Sequence, residues 1–366
     1  MLQLASPLAP LGGRTWDRIA AIADRQSAFE FLCKERLYAL LTDEDFPSLP
    51  SSARAELNDE LYKIRTKLAL RQAVRARDLE HVMHALQARG VMPVVLKGAA
   101  LGPRLYPDAA SRPSVDVDLL IAREDIDTVH EVFHAQGWVL AAGIRGHWVS
   151  SQWSYRTERS DALSTSVDIH WRLTNRPQLH HALSYQEVFR RAVSPDGRFP
   201  FAHTISSVHA LVHAVVHLVA HHADEHIPVL WYLDIASLER SLSRGERLEA
   251  VSILRARGLL EIAAQVWQAS ALEIGFQPSE ETAFLLHHPT TATDSWRFSA
   301  QTRAGQVFAD LAALSWRARV GYLREVLFPP EDNLRAAYGD EAENTPLWRL
   351  YARRFLQRGI RRPKGG

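Results

Sequence analysis

The segment Ser114-Val115-Asp116-Val117-Asp118-Leu119-Leu120-Ile121 places two carboxylates two residues apart in an otherwise apolar run. The run predicts a β-strand, in which alternate side chains share a face. Asp116 and Asp118 then point the same way, with Val115, Val117 and Leu119 opposite. Two carboxylates crowded into an apolar strand repel each other and are costly to bury unpaired. A divalent cation relieves both costs, and an oxygen-rich site suits magnesium or manganese. A second strand candidate, Ser164 to Trp171, carries Asp168 and, on the same face, His170. It follows another candidate, His147 to Thr157, across a polar turn with Glu158, Ser160 and Asp161, so the two predict a hairpin. If the Asp118 strand pairs beside that hairpin, Asp116, Asp118 and Asp168 meet. Such a trio serves phosphoryl or nucleotidyl transfer, where metal ions clamp the attacking and leaving oxygens.

Pro93-Val94-Val95-Leu96-Lys97-Gly98 reads as a short buried strand breaking at Gly98 into a helix. Such a turn presents backbone N–H groups and a helix N-terminus, which attract phosphate. Lys97, and Arg112 just before the acidic strand, are cations placed to reach the same anion. Lys97, Gly98, Arg112 and Ser114 are thus the candidate nucleotide-binding residues, and Asp116, Asp118 and Asp168 the candidate catalytic metal ligands.

The order Leu-Lys-Gly, then Leu105-Tyr106-Pro107, then Arg112, then Asp-Val-Asp-Leu-Leu, then Val-Asp-Ile-His-Trp resembles a known group. It is similar to the bacterial uncharacterised nucleotidyltransferase family within the DNA polymerase beta-like superfamily, over roughly residues 80 to 240. The resemblance implies an α+β fold: a small mixed β-sheet core flanked by helical N-terminal and C-terminal regions, with a nucleoside triphosphate at the Gly98 turn. It further implies that Asp116 and Asp118 bridge two magnesium ions, and that Asp168 completes the metal site and helps deprotonate the acceptor hydroxyl. The acceptor it implies is a small molecule or peptide. The superfamily usually has Gly-Ser or Gly-Gly at the phosphate turn; here Gly98-Ala99 lacks the hydroxyl, and Lys97 is the expected replacement.

Around these motifs the chain reads as helical. Leu57, Leu61, Ile64, Leu68, Val74, Leu79, Val82 and Leu86 recur at helical spacing over 54–89, with Gly90 as the stop. A helix is expected at 124–136, then at 205–220, 231–242, 246–257, 259–271 and 303–314. Pro195-Asp196-Gly197 marks a turn. The implied organisation is a helical region 1–90, a nucleotidyltransferase core 91–195, a helical domain 196–348 and a basic tail 349–366. That tail, with Arg349, Arg353, Arg354, Arg358, Arg361, Arg362 and Lys364, reads as a solvated helix face and frayed end.

His209, His213, His217 and His221 follow one another at intervals of four and stack on one helical stripe. Apolar residues fill the rest of that helix and no His-Glu-x-x-His signature is present, so an interior helix is expected, with His217 or His221 facing substrate. Asp234, among apolar neighbours in the next helix, needs a partner, expected among the ladder histidines. His170 is expected to orient substrate or leaving pyrophosphate, or to pack beside Trp171.

Lys plus Arg number 43 against 42 for Asp plus Glu, which argues against a nucleic-acid partner held mainly by charge. One cysteine, no apolar span and no signal pattern point to the cytoplasm. Two other functions remain open on sequence alone: a protein-modifying AMP transferase, and a catalytically silent module that holds nucleotide or peptide.

Overall fold

The computed structural model describes residues 12–106, 111–141, 148, 150–159, 163–195, 201–221, 226–287, 303–338, 342 and 345–358. Ser160, Asp161, Pro107, Asp196, Gly197, His147 and the basic tail beyond residue 358, all used in the sequence reading, lie outside them. The fold is α+β, built on one mixed sheet of six strands: β1 Val94–Val95, β2 Val117–Leu120, β3 Trp138–Leu140, β4 Gln152–Thr157, β5 Ser166–His170 and β6 His203–Thr204. Their order is β3-β4-β5-β2-β1-β6, with β2 parallel to β5, β1 parallel to β6 and the other neighbours antiparallel. The expected hairpin forms as β4 and β5, although β4 begins at Gln152, later than the predicted start. The sheet reaches past residue 195 through β6.

Ahead of the sheet lie α1 Gly13–Ala21, α2 Arg25–Lys34 and α3 Ser51–Ala88. The expected 54–89 helix is therefore one continuous rod that buries Leu57, Leu61, Leu68, Leu79, Val82, Met83 and Leu86. Its end is a left-handed glycine: Gly90 at φ +77 lets Val91 N–H reach Leu86 C=O at 3.0 Å and its own N–H reach Gln87 C=O at 2.9 Å. Helix α4 Lys97–Leu105 leaves β1 directly, and α5 Ile126–Ala135 fills the β2–β3 connection. Beyond the hairpin come α6 Tyr185–Arg190, α7 Ser207–Ala220, α8 Val229–Ser241, α9 Arg244–Ala256, α10 Leu260–Ile274 and α11 Glu280–His287. The C-terminal group is α12 Arg303–Ala313, α13 Trp316–Leu327, α14 Glu331–Tyr338 and α15 Leu347–Arg358. Of these, α7 to α10 and α12 follow the predicted helices closely, because each carries an apolar stripe at 3.6-residue spacing, whereas α6, α11, α13 and α14 were not expected from the sequence.

Strand alternation divides the sheet into two unlike faces. Val117, Tyr155 and Val167 fall on one, where Phe133 of α5 packs against Tyr155 at 4.5 Å and Trp138 at 5.3 Å between ring centroids. Asp118, Ser154 and Asp168 fall on the other, where α4, α7 and α8 leave a cavity. Burying one face fixes the register of the other, since a one-residue slip would turn the aspartates into the core. Phe133→Ala should therefore cost about 3–5 kcal/mol in urea unfolding. A loss below about 1 kcal/mol would show that this ring does not hold the sheet.

Candidate active site

The parallel register of β2 and β5 sets Asp118 opposite Asp168 and Leu120 opposite His170. Asp118 is 3% exposed, and its Oδ1 accepts from Lys97 Nζ at 2.6 Å and meets His170 Nε2 at 2.8 Å. Burial alone would raise its pKa, but the Lys97 ammonium and His170 outweigh burial and hold this carboxyl far below the usual carboxylate range. Asp168 is oriented from β4: Ser154 Oγ donates to Oδ1 at 2.5 Å and Gln152 Nε2 to Oδ2 at 3.1 Å. Asp118, Asp168 and His170 each offer a ligand atom, and these lie within 4.8 Å of one another. Sequence reasoning had grouped Asp116 with the two aspartates; the closest group of donors among the described residues has His170 in that place. Asp116 is half-buried and lines the same cavity, where burial, then Asp118 and Asp168, push its carboxyl up against the pull of Lys97.

This donor set fits a divalent cation. No hydrogen bond among the described residues uses Asp118 Oδ2, and His170 Nδ1 is buried with no partner there. The Lys97 ammonium already supplies one positive charge at Asp118 Oδ1. Lys97, expected to face the phosphate, lines the cavity while its ammonium is paired with the buried carboxylate, which needs a countercharge. Its backbone sits at φ +44, in the left-handed region, at a cost of about 1–3 kcal/mol. A charged hydrogen bond contributes about 1.5–3 kcal/mol, enough to offset it.

Arg112 was likewise expected to be a phosphate-binding cation. It is buried and its charge is committed to Asp234, with Nε on Oδ1 at 2.9 Å and Nη2 on Oδ2 at 2.5 Å. Tyr106 Oη donates to the same Oδ1 at 2.7 Å. Asp234 thus has its partner in Arg112, rather than in the ladder histidines expected from sequence. The remaining Arg112 nitrogen, Nη1, lies over Gly98, where an added Cβ would collide with it. Gly98 is glycine for that close approach, and the turn it forms opens into the cavity. Ser114, also on the cavity wall, donates its hydroxyl to Asp116 C=O at 2.5 Å, and Arg75 of α3 holds the backbone of Ser114 and Val115 at 3.1 and 3.0 Å.

The ladder is interior, as its apolar neighbours imply. His209 and His213 are buried, with burial pulling their pKa values down to about 4 and about 3, and His217 is held well below the ordinary value, chiefly by burial and then by Lys97. His217 and His221 pack on Trp231 of α8, with ring centroids 4.4 and 5.2 Å away. His213, His217 and His221 reach the cavity wall.

The cavity measures about 590 Å³. It is also lined by Lys34, Arg36 and Asn175, none of which sequence reasoning singled out. Gln152 and Asn175 carry no motif and act together through a 3.1 Å hydrogen bond. Arg36 left one readable trace: helix α2 stops at a position where no glycine is present.

Residues 12–271 match the sequence family described as Uncharacterised nucleotidyltransferase. No curated protein is similar enough to count as a match. No helix among the described residues is long and apolar enough to cross a membrane.

Removing Asp234 strands a buried guanidinium, so Asp234→Ala should lower unfolding stability by about 3–5 kcal/mol. A loss no greater than that of an exposed substitution would mean the pair contributes nothing. Folding depresses His209 from 6.5 to about 4, so the unfolded chain takes the proton first as pH falls. The stability this histidine leaves intact above pH 6.5 is lost on the way down to pH 4. His209→Gln should reduce the drop between pH 7 and pH 5 by about 1–2 kcal/mol, read by urea denaturation at each pH. Parallel curves for the two proteins would count against a neutral, buried ring.

Proposed function

Since the chain belongs to the uncharacterised nucleotidyltransferase family, we propose that it transfers a nucleoside monophosphate from a triphosphate to a small-molecule or peptide acceptor, releasing pyrophosphate. The observation that carries this reading is the Asp118–Asp168 pair, set side by side by a parallel register, with His170 at hand, on the wall of a cavity that a helix N-terminus also faces. In this reading Asp116, Asp118 and Asp168 hold magnesium or manganese, with His170 beside them. When bound, such ions neutralise phosphate charge and align the reacting oxygens.

The protein's own contribution is placement and charge. The Gly98 turn and the first N–H groups of α4 receive the triphosphate. Lys97, shared with Asp118, and Nη1 of Arg112 add positive charge there. An acceptor hydroxyl oxygen forms the new bond to the α-phosphorus, while the bond from that phosphorus to the bridging oxygen breaks and pyrophosphate leaves with the electron pair. The hydroxyl proton passes to the Asp168 carboxylate, which Ser154 and Gln152 keep oriented. His217, His221 and Trp231 line the way to this point and exclude bulk water.

The test is calorimetry with each of the four ribonucleoside triphosphates and magnesium, on wild type and on Asp116→Asn/Asp118→Asn. The variant should remain folded by circular dichroism, with a lowered melting temperature because Lys97 loses its countercharge, and lose metal-dependent triphosphate binding by about tenfold or more, the scale of a lost charged interaction. Equal affinity in the two proteins would sink the assignment. Intact-mass spectra of co-expressed proteins separate a small acceptor from a modified protein, since only the second gains a nucleotide mass.

A further inference from the structure

Helix α2 ends in an unusual way. Leu37 N–H reaches Leu32 C=O at 2.8 Å and Arg36 N–H reaches Cys33 C=O at 3.2 Å, the paired bonds of a left-handed helix stop. The same stop closes α3 at Gly90 and α9 at Gly258, both glycines at positive φ. At α2 the left-handed position is Arg36, at φ +59. Side chains rarely adopt that backbone, and when they do the strain clusters at ligand-holding sites. A favourable helix dipole explains a basic residue near a C-terminus, and Lys34 needs no more than that. It does not explain the choice of a strained arginine where glycine would serve.

The turn is also held rigidly. Glu35, between the two cations, is 1% exposed. It accepts from Val229 N–H at the start of α8 at 3.0 Å, meets Arg18 at 3.1 Å and lies 3.2 Å from His226 Nε2. Lys34 and Arg36 thereby face the cavity from its α8 side, and neither has an ion-pair partner among the described residues. Cavity charge is correspondingly divided. Lys97 is paired with Asp118 and Arg112 with Asp234, which leaves Asp116 and Asp168 at the sheet and Lys34 and Arg36 at the α2 turn. His213 and His217 of α7 both feel Lys97 and Asp118, and His217 and His221 pack on Trp231, two residues past the Val229 N–H that Glu35 holds.

We infer that Lys34 and Arg36 form a second anion-binding site on the α2 wall of the cavity, which takes a phosphate or carboxylate group of the acceptor. That such a site exists follows from the turn itself; that its anion belongs to the acceptor rests on the nucleotidyl-transfer reading. In the nucleotidyl-transfer reading the reacting phosphate lies at the sheet carboxylates, so these cations, carried by a different wall, serve the other substrate. An acceptor anchored there by its anion spans the cavity and directs its hydroxyl toward Asp168.

Inorganic phosphate is the probe, titrated by calorimetry into the full chain with no metal or nucleotide present. Arg36→Gly removes the guanidinium and relieves the strained backbone, so its melting temperature should hold or rise. Its phosphate affinity should nonetheless fall about tenfold or more, and Lys34→Gln, on an exposed helix end, should weaken binding in the same direction. Unchanged phosphate affinity in both variants overturns the site, as does a lowered melting temperature with affinity intact. A second titration adds saturating magnesium and a non-hydrolysable triphosphate. Phosphate that still binds places the anion on the acceptor; phosphate that competes assigns these cations to the triphosphate and overturns the proposal. Because the first titration contains no nucleotide, a failure of triphosphate binding leaves its outcome legible.

Discussion

A carboxylate that is buried and still ionised constrains everything around it. Asp118 sits in the middle of the sheet, where desolvation opposes its charge, and only Lys97 and His170 keep that charge in place. Those two partners come from different directions: Lys97 from the strand-to-helix turn after β1, His170 from the parallel neighbour β5. Both the turn and the register must be correct at once for the aspartate to be tolerated. Lys97 accepts a left-handed backbone to reach it. A cation bound at the open carboxylate oxygen would ease the same burden that Lys97 and His170 now carry.

The Arg112–Asp234 pair carries this constraint outward. A bidentate guanidinium–carboxylate contact is directional, and here it is buried in the cavity wall. It fixes α8 against the loop that leads into β2, and the third guanidinium nitrogen presses on Gly98. Tyr106, at the far end of α4, ties to the same aspartate. Helix α4 is therefore held at its start by Lys97 and just past its end by Tyr106. Replacing the ion pair with apolar residues of similar volume would fill the space well enough, but it would lose the angular precision that keeps the Gly98 turn in line with the carboxylates.

What the sequence showed depended on how local each signal was. Alternation in 114–121 and 164–171 told which faces Asp118, Asp168 and His170 share, because strand geometry alone decides it. Helical spacing located α3 and α7 through α10 within a few residues for the same reason. Partner choice was not local. Arg112 and Asp234 are 122 residues apart, and nothing near Arg112 distinguishes a cation waiting for phosphate from one already neutralised. The ladder's spacing predicted its stripe, yet pairing Asp234 with it overlooked how strongly burial disfavours a charged imidazole there. Arg36 was legible only as a missing glycine, which carries meaning once the left-handed φ is known.

The N-terminal helices are integral to the cavity, and their attachment shows why. Gly13 and Gly275 meet so closely that a Cβ on either would strike backbone of the other segment, so α1 is seated directly on the end of α10. Arg18 extends the contact to Glu273 at 3.3 Å and to Glu35 at 3.1 Å. Glu35 in turn caps the first free N–H of α8, the helix that carries Asp234 and Trp231. Loosening the α2 turn would uncap α8, and through Asp234 and Arg112 the disturbance would reach Gly98. The cationic and acidic walls of the cavity are thus joined by α8, which makes their relative placement a property of the fold.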